Sequence, residues 1–514
     1  MKSKNSLMNF LSSYFIYFVL VLLGILKVKF FLNHLGQDLY ALNQLYVNLY
    51  SYLAIAEGGI SMALIYRLYP RFAEKKYDAI NELYSGTKII YRRIGFIVIG
   101  AGFGLTFLIP HLLKDSTISA AYIMLTFMLF VIRSSLDYFA IVPRLIIQAD
   151  QKMYKVNLLI FGSRFFIILA EILIIIAGYD YVYSLIPGII LTLIANIIIN
   201  RFVYKTYPWL KTVAKKDYST YADTKHLLLH KSLQLVTKNI DIVLITFYLG
   251  SLSVTIYAAY NYFVKFALDS FEHIFNAVKD SMGLIFQENT GEEIAEKVRE
   301  YFSIFDFIAV VAISVFYLNI NKFIILWIGK SYVTDAITLF LFLFLVYTST
   351  LRQSYELTKT AMGRFKETKL IATIQAALNV LFSLIFVNTI GMKGVILGTI
   401  VSFVLTDFWY YPHYIIKTVC KRSLLSYYWT QLINLIVFGT VLFGSDFLLR
   451  LVFGSGIGMS FILWMGYALS SLVLVLLMSV PLSLAVSPPF RRIALKALNA
   501  LNSIRKRTDG GIIG

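Results

Sequence analysis

The chain carries little charge for its length: 15% of its 514 residues are Asp, Glu, Lys or Arg, against 59% hydrophobic residues and a mean hydropathy of +0.73. A soluble fold could not hide that much apolar surface, so lipid must be the main solvent. Cysteine is almost absent, and the single Cys420 excludes an intrachain disulfide. Segments of alternating polarity are missing too. Phe15 to Gly24 and Leu472 to Val480 are apolar on every face, which argues against a β-barrel and for helices that satisfy their own backbone inside a bilayer. No complete phosphate-binding loop occurs, because Ile324 stands where the glycine before Gly329-Lys330-Ser331 would have to be. Gly100, Gly102 and Gly104 fall inside an apolar run, where close packing suits them better than a nucleotide turn. His226 and His230 have helical spacing but no third ligand nearby, too little for zinc. The sequence implies no cofactor.

What is there is one apolar run after another. A helix needs about 20 residues to cross a hydrocarbon core of roughly 30 Å. Spans are expected near residues 10–32, 40–66, 89–112, 118–143, 155–177 and 181–203. After a polar linker they resume near 228–249, 252–275, 301–327, 333–358, 370–388 and 393–416, with a last pair near 427–449 and 458–486. The expected fold is therefore all-α and integral to the membrane, with about fourteen transmembrane helices. The first run lacks a small-residue cleavage site and is too long for a signal-peptide core, so it reads as a retained helix.

Acidic residues number 28 against 47 Lys and Arg, a formal charge of +19 that would suggest nucleic acid in a soluble protein. Here placement explains it. Every second connection is basic, from Lys2 and Lys4 through Arg67 to Arg93, Arg144 to Lys155, Arg201 to Lys231, Lys297 with Arg299, Lys359 to Lys369 and Lys417 to Arg422, to a tail with Arg491, Arg492, Arg505, Lys506 and Arg507. The connections between carry about one cation or none: Lys114, Lys330, Lys393 and Arg450. The positive-inside rule puts the basic set, and both termini, in the cytoplasm. No nucleic-acid partner is required, and the opposite connections are too short to hold a catalytic domain.

The spans before and after the linker resemble each other. Each set has a first helix ending in Leu-Gly (Leu35-Gly36, Leu249-Gly250) and a second opening on Tyr-Ala (Tyr40-Ala41, Tyr257-Ala258). Each then has a charged amphipathic stretch, Phe72 to Tyr91 and Phe286 to Tyr301, expected to be a separate helix. The fourth helix of each set has an arginine with an acid four residues on, Arg133 with Asp137 and Arg352 with Glu356. Both sets start on the same side, so the repeats would be parallel.

Two six-helix sets plus a terminal pair, with Gly363, Arg364 and Lys366 before a helix containing Asn379, and Gly391 and Gly394 opening the next, resemble the polysaccharide flippase branch of the MOP/MATE superfamily. That resemblance implies a MATE-like N-lobe over residues 1–203, a cytoplasmic linker over 204–227, a C-lobe over 228–420, a helix pair over 421–490 and a basic tail over 491–514. It implies a non-enzymatic flippase in a bacterial cytoplasmic membrane, moving undecaprenyl-diphosphate-linked oligosaccharide repeat units to the outer leaflet for cell-surface polysaccharide biosynthesis. Its partners would be that lipid-linked glycan, membrane lipid, H⁺ or Na⁺, and a polysaccharide polymerase. The alternatives are a teichoic-acid-type flippase and an ion-coupled multidrug or metabolite antiporter.

Arg133, Arg164, Lys238, Lys265 and Arg352 lie centrally in the expected spans. Each such charge costs roughly 2.5–3.5 kcal/mol on insertion scales, so it should face protein or water rather than lipid. One reading is a cationic cavity for the substrate diphosphate. The other is mutual neutralisation, with Asp137, Asp241, Asp269 and Glu356 at helical spacing from four of the five; Arg164 has no such acid. Lys27, Lys29 and Lys322, nearer helix ends, are expected to snorkel. Glu57, followed by Gly58 and Gly59, together with Glu171 and Asp241, are candidate ion-coupling carboxylates or hydrogen-bonded structural acids. Tyr46, Asn48, Tyr257, Tyr260 and Asn261 could line a sugar path, though core packing explains each of them more simply.

Overall fold

The structure is a computed structural model that describes residues 2–57, 59–112, 118–222, 225–288, 291–362, 368–454 and 460–509. The order is α1 (Lys2–Leu53), α2 (Ile60–Ala73), α3 (Tyr77–Leu112), α4 (Ala120–Ser135), α5 (Ile141–Ala149), α6 (Tyr154–Ile176), α7 (Tyr181–Thr206) and α8 (Ser219–Ala222). Then follow α9 (Lys225–Glu288), α10 (Gly291–Trp327), α11 (Ala336–Met362), α12 (Lys369–Ile390), α13 (Met392–Leu405) and α14 (Asp407–Pro412). The last three are α15 (Leu424–Phe453), α16 (Phe461–Val486) and α17 (Pro488–Asp509). Among the described residues twelve helices are long and apolar enough to cross a membrane. Large apolar side chains such as Leu158, Phe443, Val452 and Ile462 are turned outward, while Asn379, Ser383, Ser402 and Ser471 are buried. This inverted distribution is that of a multi-pass membrane protein, whose apolar faces meet lipid and whose polar groups meet one another.

Four of the twelve run to 34 residues or more, and two of these, Phe15–Glu57 and Asn239–Glu272, are not continuous. Each is broken at one glycine. Gly36 has φ 82°, ψ 173° and Gly250 has φ 78°, ψ −177°, nearly the same backbone conformation and one essentially reserved for glycine. A β-carbon at either would meet no atom within 4 Å, so the backbone angle, not lack of space, requires the glycine. Asp38, two residues past the first break, accepts a hydrogen bond from Ser251, one residue past the second.

The chain divides into two compact units, Met1–Ala258 and Ala259–Gly514. In the first, α6 packs on α1 and α7, and α4 on α3 and α7. The charged stretch after α2 is not a separate helix: Tyr77–Leu112 is one continuous helix, because its polar first turns run directly into apolar ones without a breaker. The residues after α7 are bound along those polar turns. Asn81 donates to Trp209 O (3.0 Å) and accepts from Lys211 N (3.0 Å), Ser85 Oγ accepts from Val213 N (2.9 Å), and Asp217 N donates to Glu82 O (3.0 Å). In the second unit α10 likewise runs unbroken from its acidic start into its apolar length, and contacts α11, α15, α16 and α17. The α12–α13 hairpin closes tightly because a β-carbon on Gly394 would lie 2.1 Å from Phe386 O and one on Gly398 2.6 Å from Ser383 N, the close backbone approach that small residues four apart allow.

Candidate functional site

In the first unit three charged side chains from three helices converge. Glu171 of α6, 2% exposed, lies between Lys27 Nζ of α1 (2.5 Å) and Arg133 Nη1 of α4 (2.6 Å). One carboxylate thus meets two cations, and the cluster keeps a surplus positive charge. Both cations remain partly accessible, with side chains 27% and 22% exposed. Arg133 lies over Gly188 of α7, where a β-carbon would fall 2.3 Å from its Nε, so the glycine leaves room for the guanidinium. Helical spacing gave Arg133 a different partner. Asp137 instead pairs with Arg144 (3.3 Å), because the chain leaves α-helical geometry at Leu136–Phe139 and the acid no longer stands one turn above Arg133. Lys27 does not snorkel; the buried Glu171 holds it. Arg164, in the middle of α6, is exposed and makes no ion pair among the described residues.

The second unit has a different balance. Arg352 of α11 meets Asp407 of α14 through Nε (2.8 Å) and Nη2 (2.7 Å), while Glu356 takes Lys359 Nζ (2.5 Å) and the Tyr411 hydroxyl (3.1 Å). Lys359, fully buried, also lies over the Tyr411 ring. Two cations answer two anions. Lys359, expected in a basic cytoplasmic connection, is instead buried here, and Asp407 escaped the sequence reading because its helix follows a backbone break after Leu405 that apolar periodicity does not reveal.

Among the ion-coupling candidates, Glu57 ends a short 3₁₀ turn and accepts hydrogen bonds from Tyr91 OH (2.9 Å) and from Ser61, with no cation among its described contacts. Asp241 is buried and accepts from Tyr257 OH (2.6 Å). Glu171 is the doubly paired acid just described. Lys265 is exposed. The side chain of Lys238, with Gly58 and the Gly363–Lys366 segment, lies outside the described residues. Tyr46, Asn48, Tyr257 and Tyr260 are buried, and Tyr46 is fixed to Ile123 O (2.9 Å) and Thr126 (2.8 Å). Lys322 bonds to Leu318 O (3.1 Å) and the Tyr467 hydroxyl (3.2 Å) rather than reaching out of the helix.

No protein-family model matches the sequence, and no curated protein is significantly similar to it. Solved structures do resemble the fold. The lipid II flippase MurJ in an inward closed conformation superimposes with a TM-score of 0.67 at 15% identity, over 91% of this chain and 98% of that one. A MOP superfamily transporter from Pyrococcus furiosus, described by the reverse polarity of its binding pocket, gives 0.61 at 12% identity over 82% and 97%. An inward-facing multidrug resistance MATE family transporter gives 0.60 at 12% identity over 76% and 93%. At these identities what is shared is the fold, and the structural neighbours are members of the MOP superfamily.

Proposed function

We propose that this chain is a flippase that carries an undecaprenyl-diphosphate-linked oligosaccharide from the inner to the outer leaflet of a bacterial cytoplasmic membrane, for assembly of a cell-surface polysaccharide. The observation that carries this reading is the surplus positive charge around Glu171. Two partly accessible cations on one buried carboxylate form a poor neutral pair and a good anion site, since Arg133 can offer a second edge of its guanidinium to a diphosphate. Arg164 adds to it, because an exposed guanidinium at mid-span is stable facing water or an anion and not lipid. A cavity for cationic drugs would instead favour uncompensated acids.

Counting each glycine-broken helix as two spans makes fourteen, with a six-helix N-lobe over 1–203, a C-lobe over 228–420 and a helix pair over 421–490. The basic connections then face the cytoplasm, together with both termini and the linker bound along α3. Lys238 and Lys265 would supply cations from the C-lobe side, whereas Arg352, expected among them, is neutralised by Asp407; the lobes would alternate access while the lipid tail stays in the bilayer. Glu57 and Asp241 are the coupling candidates that fit an ion-driven cycle. A polysaccharide polymerase would act on the delivered units, and a teichoic-acid-type precursor would suit the same charge.

The test is the leaflet location of undecaprenyl-linked oligosaccharide in cells with and without the protein, read with an impermeant sugar-binding probe. Loss of outer-leaflet signal with total lipid-linked sugar intact supports flipping. Unchanged exposure together with raised sensitivity to cationic drugs overturns it in favour of the antiporter.

A further inference from the structure

The second unit contains a cavity of about 310 Å³ between α10, α15 and α16, with the α16–α17 corner at Ser487 and Pro488 on its wall. Phe307, Val310, Ile433 and Val437 make much of it apolar, yet Asp306 of α10, 8% exposed, also faces it. Three other buried carboxylates have cations: Glu171 has two, Asp407 has Arg352, and Glu300 has Lys297 and Lys496. Asp306 has none. Its Oδ2 accepts from Asn434 Nδ2 (2.7 Å) and Gln431 Nε2 (3.3 Å), and the Gln431 amide is oriented for this because its Oε1 accepts from Tyr347 OH (2.9 Å). Among the described residues Oδ1 has no hydrogen-bond donor, and Asp306 lines the cavity.

An ionised carboxylate in that setting lacks a counter-charge, and carboxamide hydrogen bonds do not supply one. The groups facing it from neighbouring elements are Tyr347 and Tyr355 on α11, and Tyr427 on α15, all neutral hydroxyls. Arg299 on α10 and Arg422 just before α15 line the same cavity, but Arg299 stands two helical turns before Asp306, about 10 Å along the axis. Arg422 pairs with Glu292 (3.0 Å). From α16 and the α17 corner only serines and prolines contribute polar or backbone groups. We propose that Asp306, with Asn434 and Gln431 beside it, is an exchangeable site for a monovalent cation, a proton or a sodium ion. The side-chain oxygens that Asp306, Asn434 and Thr430 bring to the cavity lining are hard ligands that suit an alkali cation and not a soft metal. The inference stands whether or not the cargo is a lipid-linked glycan.

Infrared difference spectra of the full-length protein in lipid nanodiscs test it, recorded between acidic and alkaline sodium-free buffers and then between choline and sodium salts at constant pH. Wild type should show the carbonyl stretch of a buried carboxylic acid in acidic, sodium-free buffer, and D306N should lack it entirely. If alkali alone erases the band, the ion is a proton; if sodium erases it at constant pH, sodium competes for the site. N434A should keep the band and move the sodium concentration or pH at which it disappears. Identical difference spectra for wild type and D306N under both comparisons overturn the proposal. Because D306N is nearly isosteric and removes an uncompensated charge, it should fold at least as well as wild type, which its melting midpoint checks.

Discussion

The charge clusters of the two units start from the same sequence pattern and finish differently. In each, an arginine ignores the acid four residues ahead and pairs with one on another helix: Arg133 of α4 with Glu171, Arg352 of α11 with Asp407. In the second unit the displaced acid, Glu356, finds Lys359, and the account balances. In the first, Lys27 joins the pair already formed and leaves one positive charge over. The lesson is that an intramembrane ion pair recurs for stability in both halves, while only the unbalanced one is suited to an anionic ligand.

The sharpest way to break this comparison is to remove the acids and cations in turn. E171Q strands two cations and R352M strands a buried carboxylate, so each should lower unfolding stability in detergent by about 3–5 kcal/mol. K27M leaves Glu171 still paired with Arg133 and should be much milder in the same assay, about 1 kcal/mol. In transport the order should reverse: K27M and R133M should reduce outer-leaflet delivery by about tenfold or more, equivalent to ~1.4 kcal/mol of lost interaction. Equal stability losses for K27M and R352M would remove the distinction between the clusters.

G188A probes the same site from beneath, since its methyl group takes the space of the Arg133 guanidinium. A loss of about 1–3 kcal/mol is expected, with transport falling alongside that of R133M; wild-type delivery would show that Arg133 need not lie there. G36A and G250A test whether the repeated break is equivalent in both halves. Each should cost about 1–3 kcal/mol because the backbone conformation is closed to alanine, and a difference of several-fold between them would deny the equivalence.

The smallest effect concerns Asp335, which opens α11 and is tied to Lys393 (3.2 Å) at the start of α13. Partial burial pushes its carboxyl up, but hydrogen bonds from the Thr338 hydroxyl and backbone and the Lys393 charge more than offset this, leaving it lowered to about 2. Because the folded-state value is depressed, this contribution is present above the ordinary aspartate range and is lost as pH falls toward about 2. D335A should cost about 0.5–2 kcal/mol as a lost helix cap at neutral pH, and the gap from wild type should narrow on acidification; a gap independent of pH would contradict it.

Much of the fold was legible in the chain. The expected bounds 155–177 and 181–203 match α6 and α7 closely, since each run is continuous and is followed by a helix-ending residue, Gly178 after α6 and Pro208 after α7. Leu-Gly marked both helix breaks correctly. Less was legible where geometry departs from a regular helix: the 3₁₀ turn at Leu136–Phe139, the break at Thr406 and the π-helical His413–Val419 keep an apolar composition while turning side chains to new neighbours. Of the candidate site, the charged residues themselves stood out, but their partners did not.

Hydropathy and charge placement are settled between each segment and its solvent, so the sequence by itself determined that the chain is helical and membrane-spanning and where the cations cluster along it. Pairing is settled between segments. Only the tertiary structure decided that Glu171 lies between Lys27 and Arg133, that Lys359 balances Glu356, and that Asp306 faces a cavity without a counter-charge, because each depends on which faces of separate helices meet, and no spacing along one helix encodes that.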